Sequence, residues 1–594
     1  MKLIIFDFEV FKYDTLLGCY ILENDSITKW QSWDLNEIKK LYQQNVESIW
    51  IGWNIEDYDN IILQTACKTL DQSKIKKVND SIIEGRRHYL NMPLIYYDLI
   101  CNHHTGLKTI EAFVGKNISE SEVDFNLDRP LTEEEKRLTE SYNLDDLDQT
   151  YDNFVALYPE FSLRLQIIKE FGLSLKALNV TGTQVAEMVL KAEQVPGIED
   201  MYIAPKMHDC LKLNNQLVKD FYLNETFRTN EKLKASICGV NHSLGCGGIH
   251  GARKKYHADW AYYFDVSGYY NLIMINFDLL PRTIPDSAKK DYEFMYHEQL
   301  RLKKIDPQKR KVYKPILLAV FGAQNNKDCK FYDPYKGKLV TITGQIFLVD
   351  LLEKLEGKIE LIQSNTDGVI AKPLPNTDEQ EILNIIDEWQ KRTGFNLKLE
   401  KIYNIQQRDV NNYMYVDDKN EVHVLGEAVK HYHGIDGPFK TDGYNSKEAL
   451  IIAKAIVDYY IYNKLPEQTI EENKNNLRYF QYICKKNSFD WMEYEETNLI
   501  TKEVTSYKIQ NVNRAFALKS DTISGMVYKM KSDGKKAKVS NLPDSIFVYN
   551  NDIRKSETIE QLQNKIDYDY YINRSYERIL EFSNFKKIKD ILYE

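Results

Sequence analysis

The stretch "LIIFDFEVF" (residues 3–11) constrains the chain more than any other. It is apolar and aromatic and only a few residues long, so it reads as a β-strand. Asp7 and Glu9 interrupt it. Residues two apart in a strand point to the same face, so the two carboxylates stand side by side among side chains destined for a core. Close carboxylates in a core are costly unless something positive lies between them. Any fold for this chain must supply that partner.

More acids follow within the first 150 residues. "GWNIEDYDNIIL" offers Asn54, then Asp59 after a Tyr, at the head of an apolar helical pattern. "ESYNLDDLDQTYDNF" offers Tyr142 and Asp146, four apart and so on one face of a helix. Two metal ions held by several carboxylates can clamp a scissile phosphate, one activating water and the other stabilising the leaving oxygen. Hard oxygen ligands suit Mg²⁺ or Mn²⁺. A Tyr beside the metals could orient the attacking water. A divalent metal between Asp7 and Glu9 is then the missing positive partner.

A lone D-x-E or Y-x-x-x-D is common. In this order and spacing the three segments resemble the motifs of the DEDD-type 3′–5′ exonuclease domain of family B DNA polymerases. Asp7 and Glu9 match the first motif, Asn54 and Asp59 the second, and Tyr142 and Asp146 the third. "GLKTIEAFVG" resembles the segment in which phage members carry a catalytic Lys, here Lys108; as plain sequence it is equally a solvated helix residue.

Net charge is −10, which taken alone argues against a nucleic-acid binder. The basic residues are clustered, however. "RLKKIDPQKRKVYK" (301–314) holds seven Lys/Arg against one Asp, and "YKMKSDGKKAK" (528–538) five Lys against one Asp. Unaided, both read as solvated surfaces. At 594 residues three or more domains are expected. No stretch approaches the roughly 18 apolar residues of a membrane span, and the N-terminus does not read as a signal peptide, because Asp7 and Glu9 fall inside its apolar run. The eight Cys include no C-x-x-C pair, so neither a disulfide framework nor a zinc ribbon is indicated and a reduced, intracellular protein is expected.

A second constellation lies downstream. "WAYYFDVSGYYNLIMINF" is an aromatic strand meeting Asp265 at its end. It resembles motif A of family B polymerases, D-x-x-S-L-Y-P, keeping Asp265 and Tyr270 but with Gly268 for Ser and Asn271 for Pro. "KVYKPILLAVFGAQNN" resembles motif B, with Lys314 as its Lys, Phe321–Gly322 in the Tyr–Gly place and Leu318 where Asn is usual. Arg310 lies one turn before Lys314, and two such cations suit a triphosphate better than each other. Pro315 inside this helix implies a bend or a misplaced boundary. "IELIQSNTDGVIAK" reads as a strand, an N-T-D-G turn and a second strand; alone it is an ordinary surface hairpin. It resembles motif C, D-T-D-S, with Asp367 as the second Asp and Asn365 replacing the first. The resemblance implies metal binding by Asp265, Val266 and Asp367, with two ions in each active site.

"LGCGGIHGARKK" (244–255) resembles the Gly-rich link between exonuclease and polymerase halves. "RDVNNYMYV" and "LGEAVKHY" resemble the primer-gripping region, which implies Tyr413 and Lys430 as DNA contacts. "NVNRAFALKS" and the 528–538 loop resemble the thumb of phage members. The implied fold is α/β and α+β multidomain: a ribonuclease-H-like exonuclease over 1–160, a mainly helical connection over 161–245, palm with fingers over 246–440 (fingers near 286–322), and a thumb over 441–594. The implied protein is a DNA-directed DNA polymerase with proofreading exonuclease. It takes primer-template DNA and dNTPs, works with a helicase or other replisome proteins, and acts in the cytoplasm of an infected bacterial host. Two alternatives stay open: an exonuclease whose polymerase half is inactive, and a non-catalytic DNA-binding replication protein.

Overall fold

In a computed structural model, which describes residues 2–118, 120–198, 205–223, 230–585 and 587–588, Leu3–Val10 is the central strand of a five-stranded sheet. Alternation along it builds two different faces. Ile4, Phe6, Phe8 and Val10 pack against the helices Leu35–Gln44 and Asp59–Thr69 through Ile38, Leu41, Ile62 and Leu63. Leu3 and Ile5 point the other way, toward Leu147, Phe154, Leu157 and Phe161 of the long helix Glu133–Phe171. Asp7 and Glu9 continue that second face. The first three strands are antiparallel, and Ile49–Gly52 and Ile95–Asp98 add in parallel.

The long helix begins at a capping box, with the Thr132 hydroxyl on the Glu135 N–H and the Glu135 carboxylate on the Thr132 N–H. It ends at Gly172, in the left-handed region at φ 61°. Where it crosses the sheet the approach is tight. A Cβ on Gly18 would lie 1.8 Å from Asn143 Oδ1, so any larger residue would push the Asn143 amide out of place.

The chain divides into two compact units. The first comprises Met1–Thr181, Gly434–Ala449 and Asn473–Tyr568. Its last segment forms two antiparallel sheets of its own. One is ordered Tyr482–Lys485, Val512–Ala517, Ile546–Val548; the other Val504–Ile509, Trp491–Asn498, Ile523–Met530, Lys536–Lys538. The expected continuous thumb over 441–594 is therefore divided: 473–568 packs with the N-terminal residues, through hydrogen bonds that reach the helix Leu107–Val114.

The second unit comprises Gly182–His433, Leu450–Glu472 and Asp569–Glu594. Its core is a nine-stranded antiparallel sheet. The aromatic strand Tyr256–Val266 lies inside it, between Leu397–Asp409 and Gly368–Pro373. The end of the expected helical connection is strand instead: Leu233–Ile237 and Val240–Leu244 form a hairpin at the sheet's edge, where alternate residues are buried. Two helices, Asp286–Ile305 and Pro307–Ala323, meet at Asp306, whose carboxylate caps the second by accepting the Lys309 N–H. That second helix continues through Pro315. The helix Pro334–Leu355 is buried along nearly its whole length, and Asp350 within it is matched by Arg392 at 2.7 Å. The architecture is thus mixed α/β and multidomain. No described helix is long and apolar enough to cross a membrane.

Candidate active sites

In the first unit, strand, loop and helix converge on one acidic cluster. The carboxylate oxygens of Asp7, Glu9 and Asp146 lie within 4.8 Å of one another. Asp59 opens its helix beneath them, and its carboxylate accepts the Phe8 N–H at 3.1 Å. Burial pushes Asp7 up to about 7, helped by the charge of Asp146. Burial, then the charge of Asp7, also raises Glu9 and Asp59 well above the carboxylate range. Such a set of hard oxygen donors, mutually repelling and out of water, fits a divalent cation.

Among the described residues, one ammonium enters this cluster. Lys108 Nζ lies 2.5 Å from Asp146 Oδ1 and 3.3 Å from Glu111 Oε1, and 4.9 Å from the centre of the Tyr142 ring. Burial works against its charge, but Asp146 and Glu111 outweigh it and hold the ammonium above its usual range. Tyr142 is itself raised by burial and by Asp146. Asn54 stands exposed in a left-handed conformation at φ 64°. Its loop is tied by Asp98, whose carboxylate accepts the N–H groups of Asn54 (2.8 Å) and Glu56 (2.9 Å).

Sequence reading missed three supports here. Asn143 donates to Asp7 Oδ2 at 2.9 Å and accepts from Gln31 Nε2 at 3.0 Å, which fixes the Asp7 carboxylate. It lies three residues before Asp146, on the same helix face, and that spacing was a usable signal. Glu111, one turn after Lys108, is buried and raised to about 7, by burial above all. Asp98 had no signal, because its role depends on a parallel strand pairing.

In the second unit, Asp265 sits near the end of its strand directly opposite Gly368, the residue after Asp367. The Val266 N–H donates to the Asp367 carbonyl at 2.9 Å, so the two acids are held by one backbone link. Asp367 projects at the turn between Ile359–Asn365 and Gly368–Pro373, with an open surface but protein close around its carboxyl. Desolvation and Asp265 raise it; desolvation also raises Asp265, against the cations Lys398 and Lys303. Lys398 is the cross-strand partner of Asp265 and also pairs with Glu400; Lys303 comes from the helix Asp286–Ile305. Neither was singled out from sequence.

The expected triphosphate cations are on the next helix. Lys314 is exposed, and Arg310 donates to Gln299 Oε1 at 3.1 Å. Tyr270 packs its ring on Phe321, centroids 4.2 Å apart. Val266 is buried, so only its backbone is available to a ligand. Tyr413, expected as a DNA contact, is instead 3% exposed and packs with Ile362, Ile370 and Tyr415. Its hydroxyl meets the side chains of Gln363 and Asn365, so it supports the hairpin that carries Asp367. Its strand, Asn412–Val416, is buried at four successive residues, so no alternation marks which side chains face inward. Lys430 is exposed and pairs with Glu427 at 2.7 Å.

No protein-family model matches the chain, and no curated protein matches it. Among solved structures it is similar to the family B DNA polymerase from the hyperthermophilic archaeon Pyrobaculum calidifontis. Identity is 13%, the TM-score is 0.46, and the match covers 99% of this chain and 78% of that one.

Proposed function

We propose that the protein is a DNA-directed DNA polymerase with a 3′–5′ exonuclease. The observation that carries this reading is the presence of two acidic sites, one in each unit, each built from the residues that the six ordered motifs single out. Mg²⁺ or Mn²⁺ held by Asp7, Glu9, Asp59 and Asp146, and by Asp265, Asp367 and the Val266 carbonyl, would supply Lewis-acid stabilisation of phosphate and oxyanion charge. Asn54 and Tyr142 orient the terminal nucleotide and the attacking water at the first site. There, water adds to the terminal phosphorus, the 3′-oxygen of the shortened strand leaves, and a nucleoside monophosphate is released.

At the second site the primer 3′-oxygen bonds to the α-phosphorus of a dNTP and pyrophosphate leaves. Arg310 and Lys314 neutralise the triphosphate, and Tyr270, braced by Phe321, fills the space a ribose 2′-hydroxyl needs. The intervals on either side of the Pro307–Ala323 helix are filled by helices and the hairpin strand, with no room for an inserted domain. An ordinary nucleic-acid primer is part of this reading, as is reliance on a helicase or other replisome protein to cross duplex. The setting that fits is phage replication in the cytoplasm of a bacterial host.

One observation favours a narrower reading. Asn365 stands where a second acid would strengthen the hairpin site, so an exonuclease with an inactive polymerase half is the alternative. Purified protein with Mg²⁺ decides between them. Extension of a primed template by dNTPs together with degradation of single-stranded 3′ ends is expected; degradation without extension selects the alternative, and neither activity overturns both.

A further inference from the structure

Arg514 is a fully buried arginine, with 0% exposure, far in sequence from every residue of the first site. Its five N–H donors meet five oxygens. Nε donates to Gln481 Oε1 (2.8 Å), Nη1 to the carbonyls of Tyr549 (3.4 Å) and Asn551 (2.8 Å), and Nη2 to those of Ala112 (3.0 Å) and Lys116 (2.8 Å). None of these acceptors is a carboxylate. Desolvation accordingly lowers the guanidinium to about 9. A charge in this position is costly unless it answers something.

What it answers is the C-terminal end of the helix Leu107–Val114. The last carbonyls of a helix lack intrahelical partners and carry the negative end of its dipole. Here residues 473–568 occupy two of them, Ala112 and Phe113, and the next two carbonyls of the chain, Gly115 and Lys116. Arg514 takes Ala112 and Lys116, while Gln481 Nε2 (2.9 Å) and Arg478 Nε (3.2 Å) take Phe113. The Ile553 N–H takes Gly115 at 3.0 Å. The other end has no side-chain cap on its N-terminal residue, Gly106. Lys108, which reaches Asp146, is one helical turn from the Ala112 carbonyl that Arg514 holds.

We infer that Arg514 is a positioning residue for the acidic site of the first unit, acting through this short helix to set the Lys108 ammonium against Asp146. The segment whose sequence resembles a thumb thereby completes the exonuclease site. The inference rests on the exonuclease reading for its kinetic consequences, and on geometry alone for the ordering of the helix.

The test is Arg514→Lys, which keeps the charge and loses the fork. Displacement of a reacting-site group by about 1 Å can cost about 10²-fold. A fall of about tenfold in kcat for degrading a single-stranded DNA oligonucleotide is expected, with KM within about twofold. In a Lys108→Ala background the same change should cost less than about twofold, because the two act in series. Incorporation of dNTPs should stay within about twofold of the parent, and amide exchange should quicken over residues 109–116. Unchanged degradation, an undiminished loss in the Lys108→Ala background, or equal loss of both activities overturns the inference. If Arg514→Lys does not fold, Gln481→Leu breaks the same bridge and carries the same expectations. If the parent protein degrades no DNA, the exonuclease reading has failed, and amide exchange still decides whether Arg514 orders the helix.

Discussion

The two acidic sites solve the same electrostatic problem in opposite ways. In the first unit Asp7, Glu9, Asp59 and Asp146 are drawn out of water around the half-buried ammonium of Lys108, with a side-chain relay (Gln31, Asn143) fixing the Asp7 carboxylate. In the second, two acids stand at the open end of a sheet, and the cations that act on Asp265, Lys303 and Lys398, are exposed side chains. Low dielectric makes each group in the first site worth more, and makes each loss there more damaging.

The largest test of this division is to remove one acid from each. Asp7→Ala should lower degradation of single-stranded 3′ ends by about 10³-fold or more and leave dNTP incorporation within about twofold. Asp367→Ala should do the reverse. Rates of both reactions on the same preparations, with folding checked by circular dichroism, decide it. If either change removes both activities from a folded protein, the sites are not separate. An effect of this order is what loss of a ligand to a Lewis-acid metal produces.

The residues of the first site were legible because local periodicity fixes their direction. Two apart on a strand and four apart on a helix are geometric statements, and Asp7, Glu9, Tyr142 and Asp146 obey them. The hairpin around Asp367 was legible for the same reason. What was not legible depends on pairing between distant segments. Lys398 becomes a neighbour of Asp265 only through strand register, and Lys303 only through the placement of a helix over the sheet. Tyr413 was expected as a DNA contact because its segment resembles a primer-gripping region; pairing with Leu397–Asp409 buries it. The division of the C-terminal segment was hidden most deeply, because Arg514 and the helix it caps are far apart in sequence and neither carries a motif that announces the other.

A finer test compares lysines. Lys108→Met removes the cation that pairs with Asp146 and Glu111 and leaves those two carboxyls facing each other. It should cost the exonuclease reaction about 10²-fold. Lys303→Met removes one of two exposed cations near Asp265, whose loss water and salt can partly make good. It should cost dNTP incorporation less than about tenfold, and the loss should shrink further in raised salt. Equal penalties, or a larger one for Lys303→Met, would mean that the open site is preorganised as tightly as the closed one.

The smallest expected effect lies in stability, and its sign follows from the raised carboxyls. Asp7 titrates near 7 in the metal-free fold, and Glu9 and Asp59 are shifted in the same direction, chiefly by burial. An acid raised above its unfolded value of about 3.9 stabilises the fold fully only below that value. The contribution is lost as pH climbs through about 7, because the fold must then hold repelling carboxylates. Metal binding must displace the same protons, so it weakens as pH falls. Without divalent ions, the difference in melting temperature between wild type and Asp7→Asn should therefore grow from pH 5 to pH 8, with the Asn variant the more stable at pH 8. Adding Mg²⁺ should raise the wild type by a few degrees at pH 8 and hardly at all at pH 5, and should move Asp7→Asn less at either pH. Asp367→Asn should show the same trend more weakly, since Asp367 stands at an exposed turn. A wild-type response to Mg²⁺ that is larger at pH 5 than at pH 8, or an undiminished response in Asp7→Asn, would show that the buried carboxylates do not form the cation site, and the contrast between a closed and an open metal cage would fall with it.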